Sequence, residues 1–122
     1  AFNEARQQAA THYDSELSGL KGISIPARAG NSTHIFHQYT LRVADGARNR
    51  LRECLENEGV PSMVYYPVPL HMQKAYSHLG YRADDFPVTA DLTNEVLSLP
   101  MHTELDREQL EYITGCIRSE FK

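Results

Sequence analysis

Residues 32–66 read STHIFHQYTLRVADGARNRLRECLENEGVPSMVYY. The first part alternates as a strand does. Ile35, Tyr39, Leu41 and Val43 share one face with His37, and His34, Gln38, Thr40 and Arg42 share the other. One face is expected on a core and the other against water or a partner. Asp45 is positioned to cap a helix whose apolar stripe is Ala47, Leu51, Cys54 and Leu55, and Gly59 stops it in a left-handed conformation. Residues 60–66, rich in β-formers, predict a second strand. Strand, helix and strand in this order make a small α/β layer.

Outward from this stretch, Phe2, Ala5, Ala9, Tyr13 and Leu17 recur at three- and four-residue spacing and predict a helix over 2–18. No capping residue precedes it, which suggests a chain cut from something longer. Downstream, Pro67 and Pro69 hold Tyr66 and Val68 extended, and Pro69 suits the first turn of a short helix carrying Met72, Ala75, Tyr76 and Leu79, ended by Gly80. Residues 85–96 predict another short helix with Pro87 near its start, and 96–100 a third strand. Asp106 and Gln109 form a capping box for a last helix with the buried stripe Leu110, Ile113, Ile117 and Phe121. With no repeat or linker, residues 1–122 read as one α+β domain.

Twelve Lys and Arg against sixteen Asp and Glu give a net charge of −4, with the signs interspersed, so the basic footprint of a nucleic-acid binder is missing. No apolar run approaches the ~20 residues of a membrane helix, and the charged, helical start is not a signal peptide. Cys54 and Cys116 lie in helical stretches without a CxxC pattern. They read as buried, reduced thiols of a cytoplasmic protein, although a disulfide between them stays open.

Residue spacing alone offers no complete active site. The histidines lack a ligand spacing for metal, and His37 reads as a core-edge histidine with one hydrogen bond. No GxSxG, phosphate loop or HExxH occurs. Lys21, Lys74 and Lys122 are the three lysines, and none sits where burial would activate an amine. The loop from Tyr65 to His71 has two readings: a rigid turn whose tyrosines cover the core, or a ligand-facing edge. Proline rigidity lowers the entropy of holding Tyr65, Tyr66 and His71, and such groups suit a sugar.

The ordered segments Tyr65-Tyr66-Pro67, Pro69-Leu70-His71-Met72-Gln73, Ala75-Tyr76, Leu79-Gly80-Tyr81, Asp85-Phe86-Pro87 and Leu97-Ser98-Leu99-Pro100 closely resemble the C-terminal part of the DegT–StrS nucleotide-sugar aminotransferases, which are PLP-dependent enzymes of fold type I. His37, Tyr39 and Arg42 resemble the family's His-x-Tyr-x-x-Arg strand, and the first and last helices also match. Asn49, Lys74 and Tyr65 depart from the commonest family residues. The resemblance implies a short, mainly antiparallel three-stranded sheet packed against helices: the small C-terminal domain, without the large domain that carries the PLP lysine. It implies a parent that transfers an amino group, with glutamate as donor, to a nucleotide-linked keto sugar, and that acts as a homodimer. No PLP is expected on this chain alone, no catalytic residue, and no nucleic-acid or membrane partner. Tyr65, Tyr66, His71 and Gln73 are implied sugar contacts. Arg42 has two readings, neutralising a carboxylate or phosphate, or a surface ion pair. Self-association through the first helix is expected where the large domain would pack. The alternative is a non-catalytic aminotransferase-like module that binds a sugar or a protein.

Overall fold

Tyr39, Leu41 and Val43 are buried while Arg42 between them is exposed, the alternation of a strand with one face on a core. In the computed structural model, which describes residues 1–122, this strand β2 (Tyr39–Val43) is the centre of a three-stranded antiparallel sheet. β1 (Ile23–Ser24) pairs with one edge, Ile23 opposite Val43, and β3 (Val96–Leu99) with the other, Tyr39 opposite Leu99. The predicted fold class therefore holds. The two-residue β1 is too short to leave a periodic signal.

Three predicted features of the opening stretch are corrected. The strand begins at Tyr39, not Ser32, because Phe36 adopts φ 49, in the left-handed region. That one residue inverts the facing of the segment: Phe36 is 2% exposed, while Ile35 is 49% exposed and His37 also faces outward. His34 Nδ1 accepts the Phe36 N–H at 2.9 Å, and the Phe36 ring lies under the Arg28 guanidinium at 4.6 Å. Asp45 does not cap the next helix. It sits in the preceding turn at φ 58, and α2 (Arg48–Asn57) starts without a side-chain cap. Arg48 instead donates to the carbonyls of Thr93 and Val96, at 3.0 and 3.1 Å. The predicted strand over 60–66 reduces to one bridge, Met63 with Ser98. Pro61 has no N–H to donate, and beyond Met63 the chain leaves the sheet.

Four helices surround the sheet: α1 (Phe2–Leu17), α2, α3 (Pro87–Glu95) and α4 (Arg107–Glu120). Asp106 Oδ1 accepts the Gln109 N–H at 2.8 Å and Gln109 Oε1 accepts the Asp106 N–H at 3.1 Å, the predicted capping box. Gly59 and Gly80 take φ 72 and 71 at the ends of their helical turns, as a left-handed stop requires. The core joins Ala9, Ala10, Tyr13 and Leu17 of α1 to the inner faces of β2 and β3, Leu51 and Leu55 of α2, and Leu110, Ile113 and Ile117 of α4. Each fully buried aliphatic side chain here contributes about 1.5–3 kcal/mol. Ala9 and Tyr13 of the first helix, the element through which self-association is expected, are thus buried in the chain's own core, and α1 exposes only Phe2 as a large apolar side chain. Cys54 and Cys116 are partly rather than fully buried. No helix is long and apolar enough to cross a membrane.

Candidate functional site

Between Val60 and Leu97 no residue is fully buried. This segment is tethered at Met63, whose N–H and carbonyl bond Ser98 at 3.0 and 2.8 Å, and returns to the sheet through α3. Short local bonds shape it. Pro69 accepts from Met72 N–H at 2.9 Å, closing a single 3-10 turn at Leu70–Met72, and Gln73 accepts from Tyr76 N–H at 2.9 Å, opening a second at Lys74–Leu79. Gln73, extended at ψ 143, breaks what the sequence predicted as one short helix. Asp85 Oδ2 accepts the Arg82 N–H at 2.7 Å and sets the turn into α3.

The tyrosines do not cover the core. Tyr66 is 77% exposed and Tyr65 49%, so the first of the two readings of this loop fails on burial. Tyr65, Tyr66, Gln73 and Lys74 border one hollow of about 470 Å³. His71 faces elsewhere. Its ring packs 4.7 Å from Phe86 and 6.4 Å from Tyr81, and these line a second, largely apolar hollow of about 380 Å³ with Tyr76 and Leu79. His71 Nε2 is buried there with no hydrogen-bond partner, a costly state for a polar nitrogen unless something else satisfies it. Arg42 belongs to neither group. Its Nε and Nη2 both donate to Glu95 Oε2, at 2.8 and 2.6 Å, in an exposed ion pair. The structure thus brings Tyr65, Tyr66 and Gln73 together, turns His71 into an adjoining aromatic cup, and leaves Arg42 on the sheet. Tyr81 and Phe86, which make that cup, escaped sequence reasoning because only the fold brings them to His71.

Where α1 meets the sheet lies a second polar cluster that spacing alone does not show. Tyr39 donates to Asp14 Oδ1 at 2.7 Å, Arg28 donates to Asp14 Oδ2 at 2.7 Å, and Tyr13 donates to the Pro100 carbonyl at 2.8 Å. Burial, then the hydrogen bond to Asp14, pushes the Tyr39 phenol far above its ordinary value, and burial does the same for Tyr13. Both tyrosines are structural, fixing α1 to the sheet. Another hollow of about 450 Å³ lies beside the start of α4 with His102 and Tyr112. Two of its polar side chains are already engaged: Tyr112 donates to Glu58, and His102 Nδ1 accepts the Glu104 N–H.

Cofactor chemistry through a Schiff base needs a lysine whose amine is desolvated or otherwise activated. Lys21, Lys74 and Lys122 are all exposed. No lysine of this chain therefore fits the Schiff-base role that PLP requires. No group of three or more His, Cys, Asp or Glu side chains converges as a metal site.

The model of the DegT/DnrJ/EryC1/StrS aminotransferase family matches residues 1–118. The UDP-N-acetyl-3-dehydro-alpha-D-glucosamine 3-aminotransferase of Acidithiobacillus ferrooxidans is 38% identical over 97% of this chain and 31% of its own length. A protein of Geobacillus stearothermophilus named a pleiotropic regulatory protein is 37% identical over 99% of this chain and 32% of its own. The crystal structure of S. venezuelae DesV in complex with a ketimine intermediate superposes with a TM-score of 0.94 at 30% identity, covering 99% of this chain and 32% of that one. The chain thus spans about a third of the length of these relatives.

Proposed function

The chain belongs to the DegT/DnrJ/EryC1/StrS aminotransferase family, and we propose that it is the small C-terminal domain of a PLP-dependent enzyme that transfers an amino group from glutamate to a nucleotide-linked keto sugar. In this reading residues 1–122 supply one wall of the site, and PLP and its lysine belong to a large domain of the parent, a cytoplasmic homodimer. The observation that carries the reading is the aromatic loop: within a chain whose family match is nearly complete, Tyr65 and Tyr66 stand exposed on a proline-stiffened backbone that the core does not use. Tyr65, Tyr66 and Gln73 are the hydrogen-bonding edge toward the sugar, and His71, in its own aromatic cup, carries an unsatisfied nitrogen. Arg42, held by Glu95, meets substrate only if that pair opens.

The test uses the full-length parent with Tyr66→Phe. Loss of one hydrogen bond to a neutral sugar hydroxyl costs about 0.5–1.5 kcal/mol, so the sugar half-reaction should slow several-fold while the donor half-reaction changes little. Equal damage to both halves, with folding intact, would assign the loop to a shared frame. No effect on either would remove Tyr66 from the site. The relative named as a regulatory protein favours a second reading, a non-catalytic module that binds a sugar or protein. A parent without a lysine able to hold PLP would select it.

A further inference from the structure

α2 and α4 pack side by side, and three contacts show how they run. Arg50, near the start of α2, forms an ion pair with Glu120, at the end of α4. Glu58, just past the end of α2, accepts the Tyr112 hydroxyl at 3.1 Å through Oε2 and at 3.0 Å through its carbonyl. The helices are therefore antiparallel. Moving four residues along α2 from Arg50 reaches Cys54, and four more reach Glu58. Moving back four along α4 from Glu120 reaches Cys116, and four more reach Tyr112. Residues four apart lie on one helix face, so the register that joins the outer two pairs puts Cys54 opposite Cys116 at the middle rung. The buried stripes Leu51–Leu55 and Ile113–Ile117 run beside this ladder, and both cysteines are only partly buried, at the edge of the seam.

We propose that Cys54 and Cys116 form a two-thiol modification site, which a low-molecular-weight disulfide such as oxidised glutathione converts to a disulfide stapling α2 to α4. One cysteine thiolate attacks the glutathione disulfide, forming a mixed disulfide and releasing one glutathione thiolate. The second cysteine thiolate then attacks the protein sulfur, closing the Cys54–Cys116 bond and releasing the second. The protein loses two electrons and two protons, and glutathione disulfide gains them. The bond closes a loop containing the whole aromatic segment and β3. Burial first, then the Glu120 carboxylate and Cys116, push the Cys54 thiol up, and burial and Glu58 push Cys116 up. Thiolate is therefore scarce near neutrality, and the staple forms slowly there and faster as pH rises.

The chain, fully reduced, is incubated with oxidised glutathione at mildly alkaline pH and examined by intact mass, thiol titration and digestion. The expected product is monomeric, lighter by two hydrogens, without free thiol, and yields one peptide pair joining Cys54 to Cys116. Its Tm should rise by about 5–15 °C, given the long loop closed. Cys54→Ser and, separately, Cys116→Ser should each end with one stable glutathione adduct. Two glutathione adducts on the unsubstituted chain, or a disulfide between copies, would overturn the proposal. So would thiols that stay reduced in the folded chain while the urea-unfolded chain reacts.

Discussion

His71→Phe tests whether the aromatic cup holds a histidine for its ring or for its nitrogen. In the structure the imidazole stacks 4.7 Å from Phe86 and 6.4 Å from Tyr81 while Nε2 lies buried without a partner. A buried polar atom left unpaired costs about 1–3 kcal/mol, and an apolar replacement of similar shape removes that cost. Phenylalanine keeps the ring contacts, each worth about 0.5–1.5 kcal/mol, and because His71 is only half-buried the lower end of the penalty applies. The variant should therefore be more stable by roughly 1 kcal/mol, which for a domain of this size raises Tm by about 3–6 °C. Urea unfolding of the chain, with the slope checked for constancy, measures the difference. In the full-length parent the same change should slow use of the nucleotide sugar several-fold, since a hydrogen bond from Nε2 to the sugar, worth about 0.5–1.5 kcal/mol, is lost there. A destabilisation above about 1 kcal/mol would refute the reasoning, because it would mean the nitrogen is already satisfied in the free chain. Gained stability with undiminished sugar turnover would leave the orphan nitrogen without a function.

Asp106→Ala removes the acceptor of the Gln109 N–H at 2.8 Å, and thermal or urea unfolding should show a loss of about 1 kcal/mol. Tyr39 and Tyr13 have folded-state values raised above the ordinary 10.0, so their contribution is complete below that pH and is lost as pH climbs beyond it. Urea midpoints measured across the alkaline range should fall there, and Tyr39→Phe should flatten the slope. An unchanged midpoint would contradict the burial of both phenols. Mixing the chain with PLP should give no saturable one-to-one aldimine absorbance, because its three lysines are exposed, and specific aldimine formation would overturn the assignment of the cofactor to another domain.

Features that depend on near neighbours were legible in the sequence. The Asp106–Gln109 box, the left-handed glycines 59 and 80, Pro87 at the head of α3 and the inward alternation of Tyr39, Leu41 and Val43 are each set by a few adjacent residues. The ordered motifs from Tyr65 to Pro100 likewise identified the family, because a match of several spaced segments needs no coordinates. Features that depend on distant partners were not legible. Phe36 turns inward at φ 49 beneath Arg28 and beside Tyr39, and that reversal sends Ile35 and His37 to solvent. Residues 60–66 have strand-like composition, but pairing needs an available edge, and only Met63 finds one at Ser98.

The sequence by itself determined the class of the domain, the cap of its last helix and its family, since periodicity, capping and motif order act over a few residues at a time. Only the tertiary structure decided which side chains meet. It divided Tyr65, Tyr66 and Gln73 from His71, tied Arg42 to Glu95, and paired Arg50 with Glu120 and Tyr112 with Glu58 across α2 and α4. Those outcomes follow from the handedness of single backbone turns and the register of packed helices. A one-residue change in either sends a side chain to another face, and the local sequence carries no energy term that senses it.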